Sequence, residues 1–61
     1  MKTTLYLDGM KVSKKAVVTL IGEERLKRIL REAEETFMED PLIQNDFFLG
    51  KSGMLTVKFG G

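Results

Sequence analysis

Between Gly22 and Pro41, Leu26, Ile29, Leu30, Ala33 and Phe37 recur at the three- and four-residue spacing of one helix face. A helix cannot bury its own apolar stripe, so another part of the chain must cover it. Two short β-prone segments of alternating character flank the stripe, Thr3 to Val12 and Phe47 to Phe59, each bent about a glycine-bearing turn. Strands roofing a helix make an α+β domain.

At 61 residues the chain makes one domain. A chain of this size buries only about 60% of its extended surface, so its core is small. Cysteine and histidine are both absent. No disulfide can therefore staple the domain, and no thiolate or imidazole can hold zinc. Either packing is efficient or a second copy adds buried surface, which makes self-association an expectation from the outset. No apolar run approaches the ~20 residues that span a membrane, and the apolar positions near the N-terminus alternate with polar ones rather than forming a signal-peptide core. A cytoplasmic location is the default expectation.

Each local signal fits a β-β-α-α-β-β order. Asp8-Gly9 suits a two-residue type I′ turn, whose central positions both need positive φ. That turn sets Leu7 opposite Met10, Tyr6 opposite Lys11 and Leu5 opposite Val12. Leu5, Leu7, Met10 and Val12 then share one face, and Thr4, Tyr6 and Lys11 the other. Ser13 is a good N-cap for a short helix from Lys14 to about Ile21, with Val17, Leu20 and Ile21 expected toward the core. Gly22 ends it. A second helix is predicted from Glu23 to about Glu39, with Glu23–Lys27 and Glu24–Arg28 as i,i+4 pairs, because Pro41 disfavours helical geometry at Asp40. Leu42 to Asp46 reads as a connection that becomes extended before Phe47. The second hairpin turns at Gly50-Lys51-Ser52-Gly53. A three-residue loop with Gly53 in the left-handed region pairs Leu49 with Leu55 and Phe47 with Val57, placing Phe47, Leu49, Leu55, Val57 and Phe59 inward; a four-residue loop would turn Phe48 inward instead. Gly60 and Gly61 are expected to fray. Strand order stays open.

Charge is unevenly spread. Residues 1–22 hold four lysines against Asp8, residues 23–46 hold four basic and eight acidic groups, and residues 47–61 add Lys51 and Lys58. Basic ends flank an acidic middle, which lets the parts attract one another in the fold.

Most patterns that suggest chemistry have plainer readings. Gly50-Lys51-Ser52 resembles the end of a P-loop, but Asn45 stands where that motif needs its first glycine, and a strand rather than a helix follows. Glu32, Glu34, Glu35, Glu39 and Asp40 lie on or beside a regular helix and read as a solvated face, relieved by Lys11, Lys14 and Lys15 or by a basic partner. Ser13 and Ser52 have no histidine to serve as base. The expectation is a non-enzymatic chain that uses no cofactor, metal or small-molecule substrate. Arg25, Lys27, Arg28 and Arg31 are interleaved with glutamates, which dilutes a phosphate-binding face, and the second helix is long for a recognition helix.

With both helices on one side, Thr4, Tyr6, Lys11, Phe48, Met54, Thr56 and Lys58 point to the other. Tyr6, Lys11, Phe48, Met54 and Lys58 form the candidate interaction face. Exposed aromatic and methionine side chains mark protein interfaces, so a protein partner or a second copy ranks first. Phe48 folding under Leu42-Ile43 ranks second. Base stacking on aromatics among lysines ranks third, and its residues would be Tyr6, Lys11 and Lys58.

The run Leu7-Asp8-Gly9-Met10-Lys11-Val12-Ser13-Lys14-Lys15-Ala16, continued by Ile21-Gly22-Glu23-Glu24-Arg25, Asp40-Pro41-Leu42 and Gly53-Met54-Leu55-Thr56, resembles small uncharacterised proteins of gut Firmicutes, some carried near mobile elements. The resemblance implies a bacterial source but no activity, and brings no catalytic or binding residue with it.

Overall fold

A computed structural model describes residues 2–42 and 45–60. Among them the chain forms β1 (Lys2–Leu7), β2 (Met10–Val12), α1 (Lys14–Ile21), α2 (Glu23–Glu39), β3 (Asn45–Phe48) and β4 (Met54–Gly60). The predicted order of two hairpins around two helices is the observed one. All strand pairs are antiparallel, and the strand order left open by local signals is β2-β1-β4-β3. The first and last strands therefore form the middle of the sheet.

Turn chemistry sets the first hairpin. Asp8 and Gly9 take φ of 50° and 85°, as a type I′ turn requires, and Leu5, Tyr6 and Leu7 pair with Val12, Lys11 and Met10 as read from the sequence. The Ser13 hydroxyl accepts the Ala16 N–H at 3.1 Å and caps α1. Gly22, at φ 91°, gives its N–H to the Val18 carbonyl and lets α2 start at once. Glu23 and Glu24 occupy the first turn of α2, where anions suit the dipole, and Glu23 pairs with Lys27 at 3.6 Å. Asp40 is extended just before Pro41, and its carboxylate accepts the Leu42 N–H at 3.0 Å.

Leu26, Ile29 and Ala33 of α2 are buried against Leu5, Leu55 and Val57 of the sheet, with Val17 of α1 and Leu49 closing the same cluster. Fully burying a side chain such as Leu26 or Leu55 contributes roughly 1.5–3 kcal/mol. Leu30 flanks the cluster, and Phe37 stacks obliquely on Phe59 with ring centroids 5.1 Å apart, which completes the stripe.

Four expectations need correction. Leu20 points outward, half exposed, while Val18 packs on the core. Met10 lies on the inner face but is 73% exposed, because β2 is the edge strand farthest from β3 and β4, where α2 packs. Gly60 does not fray: it ends β4 opposite Lys2, while Gly61 lies outside the described residues. The largest correction concerns the second hairpin. Phe47 pairs with Leu55 and Phe48 with Met54, two residues away from the predicted register. A two-residue slip preserves the face of every side chain, so Phe47, Leu55 and Val57 remain inward and Phe48 outward. It lengthens the loop to 49–53, a 3-10 turn held between two positive-φ glycines, Gly50 and Gly53. Leu49 leaves the ladder, donates its N–H to the Gly53 carbonyl at 2.8 Å, and buries its side chain.

Candidate functional site

The helices cover one face of the sheet, and the side chains of opposite parity form the other. Across its middle runs a row set by the register: Lys11 on β2, Tyr6 on β1, Thr56 on β4 and Asp46 on β3. Thr4 faces Lys58 in the neighbouring row. Phe48 and Met54 pair beyond the middle row, at the β3 side of the sheet.

The five candidate residues share this face but fall into two groups. Tyr6, Lys11 and Lys58 form a basic aromatic half. Lys11 is directly opposite Tyr6, and the Lys58 ammonium sits 5.1 Å from the Tyr6 ring centroid. Such a cation–π contact is worth about 0.5–1 kcal/mol at an exposed position. Phe48 and Met54 form an apolar corner, 75% and 42% exposed. Leu42 is itself 93% exposed, and Ile43 lies outside the described residues, so the folding of Phe48 under that segment is not seen.

Asp46 is the member of this face missing from the sequence-based set. Its Oδ1 accepts the Thr56 hydroxyl at 2.6 Å, which places a carboxylate in the middle row of the face. Two-residue parity with Phe48 was a sufficient signal for it. Asp8 is a second omission. Its N–H donates to the Met54 carbonyl at 2.9 Å, and its carboxylate accepts the Met54 N–H at 3.0 Å. The turn of the first hairpin thereby clasps the start of β4 and fixes the position of Met54.

The remaining motifs resolve simply. Gly50-Lys51-Ser52 lies between β3 and β4, so it is a hairpin loop. Glu32, Glu34, Glu35, Glu39 and Asp40 are all exposed, and among the described residues no three or more acidic groups converge as they would around a metal. Among the described residues no helix is long and apolar enough to cross a membrane.

No family model, curated protein or solved structure matches this chain.

Proposed function

We propose that this chain is a small, non-enzymatic interaction module of the cytoplasm, an accessory protein that binds protein (a partner or a second copy) through the outer face of its sheet. The Phe48–Met54 corner carries the reading. A chain with so small a core leaves one of its four phenylalanines 75% exposed beside a half-exposed methionine, on a face that neither helix covers. Aromatic and methionine side chains framed by polar groups have the composition of a protein contact. Thr56, Asp46 and Lys58 supply that frame. The test is sedimentation velocity across a concentration series, on the wild type and on Phe48→Ser. Concentration-dependent association lost in Phe48→Ser supports the self-binding form. A strict monomer at high micromolar concentration removes that form and leaves a different protein as partner.

A second reading, single-stranded nucleic acid bound over Tyr6, Lys11 and Lys58, is favoured by the lysines flanking the ring. It ranks lower because the Lys58 ammonium already lies over the ring on which a base would stack, and because Asp46 sets a negative charge in the same row as Tyr6. A salt-dependent mobility shift abolished by Lys11→Glu would reverse this order; no shift at ~50 mM salt would remove the second reading.

A further inference from the structure

We propose that the outer face takes an acidic, extended segment of a different protein rather than a second copy of this chain. The inference rests on the reading of that face as a protein contact and names the chemistry of the partner. The strand register fixes the charge of the face. Lys11 of β2 pairs with Tyr6 and Lys58 of β4 pairs with Thr4, while Lys2 shares the parity of Thr4 and Tyr6 along β1. Three exposed lysines on three adjacent strands therefore surround Thr4 and Tyr6 on one side of the sheet. Among the described residues none of the three is in an ion pair; the Lys58 ammonium rests on the Tyr6 ring. The paired rows hold one carboxylate, Asp46, which lies on β3 at the opposite edge from Lys11.

That balance selects the occupant. Two copies joined by this face would bring both sets of lysines together, and like charges across a contact reject a partner. Turning one copy so that its basic half met the other's β3 side would still set three lysines against Asp46 alone. An acidic segment uses the same charges favourably, and the apolar corner gives it an anchor. Along β4, Lys58 lies four residues from Met54, and Gly60, which stands opposite Lys2, lies six. At ~3.3 Å per residue, the rows of Lys58 and Lys2 are roughly 13 and 20 Å from the Phe48–Met54 corner. An extended chain repeats its side chains on one side every two residues, so carboxylates at alternate positions followed by an aromatic residue match these rows. The carboxylates accept charge-assisted hydrogen bonds from the lysines, and the aromatic ring covers Phe48 and Met54.

The test is titration of the ¹⁵N-labelled protein with the end-blocked peptide Glu-Ser-Glu-Ser-Glu-Ser-Phe, and with versions carrying glutamine or lysine in place of glutamate. Saturable amide shifts are expected at Tyr6, Lys11, Met54 and Thr56. The glutamate peptide should bind about tenfold tighter than the glutamine peptide at low salt, with the gap closing near ~0.5 M salt, and the lysine peptide should be weakest. Lys2→Gln/Lys11→Gln, which changes two exposed side chains, is expected to weaken the glutamate peptide about fivefold and leave the glutamine peptide unchanged. Glutamine or lysine peptides binding as tightly as the glutamate peptide would overturn the proposal. So would tighter binding of oligothymidylate or of phosphatidylglycerol vesicles. A Phe48→Ser-sensitive dimer in a protein that binds no glutamate peptide would sink this inference and leave the outer-face reading standing; peptide shifts confined to the helices would remove both.

Discussion

The two hairpins of this domain make an instructive pair. Both turn at glycine, and both put a row of apolar side chains under α2. The first, at Asp8-Gly9, has a register that its own four turn residues dictate. The second does not: its strands pair two residues away from the local optimum, around a five-residue loop. The difference lies in what each turn needs beyond its own bonds. The second loop also closes on itself, with the Leu49 N–H on the Gly53 carbonyl and the Gly53 N–H on the Gly50 carbonyl. Its outgoing strand, however, begins at Met54, whose N–H and C=O are both taken by Asp8, 46 positions earlier in the chain. A two-residue turn of fixed type can be read from four letters; a longer loop whose outgoing strand docks on so distant a residue cannot.

Substitutions at the contact between the hairpins should break this relation most severely. Leu55 is fully buried and pairs with Leu7 on one side and Phe47 on the other, so it joins both ribbons. Leu55→Ala should cost about 3 kcal/mol in urea unfolding, much of the ~3–9 kcal/mol expected for a chain of this length. Glycine-to-alanine changes then separate the two turns. At Gly53, φ 102° and ψ −158° form a region almost reserved for glycine, and an added Cβ would collide with the Asp8 carboxylate. Gly53→Ala should cost roughly 2–3 kcal/mol. Gly9 has a similar sign of φ but open space around it, so Gly9→Ala should cost only about 1 kcal/mol. Equal costs would show that backbone conformation alone, without the clasp, governs both turns.

Asp8 sharpens the comparison because it serves both ribbons. Asp8→Ala should lose about 1–2 kcal/mol through the vacated Met54 N–H and the poorer turn residue. Asparagine tolerates positive φ and keeps a carbonyl acceptor, so Asp8→Asn should recover most of that loss. The Met54 amide resonance should move in the alanine variant and return toward its original position in the asparagine one. Phe48→Ser should change stability by no more than ~0.5 kcal/mol, since Phe48 is exposed, while altering association.

What could be read in advance follows the range of the interactions responsible. Residues 23–39 were legible as a helix because stripe, first-turn acids and Pro41 all act within a few positions. The first ribbon was legible for the same reason. Face parity in the second ribbon was legible too, because alternation survives an even-numbered slip, and it is why Tyr6, Lys11, Phe48, Met54 and Lys58 do share a surface. Its register and the strand order depend on Asp8 and on the β1–β4 pairing, which no local pattern encodes. Leu20 and Val18 exchanged roles because an eight-residue helix offers two adjacent apolar stripes, and only the neighbouring α2 decides which is covered.

The β1–β4 pairing also governs how this protein reaches its final shape. The central ladder joins Leu7 to Leu55 and Lys2 to Gly60, segments 48 to 58 positions apart by subtraction. Closing so large a loop is slow compared with forming either ribbon or the long helix. A chain emerging in order from the ribosome therefore holds the oily side of α2 unsheltered until β4 is free, and that interval is when it is most open to aggregation.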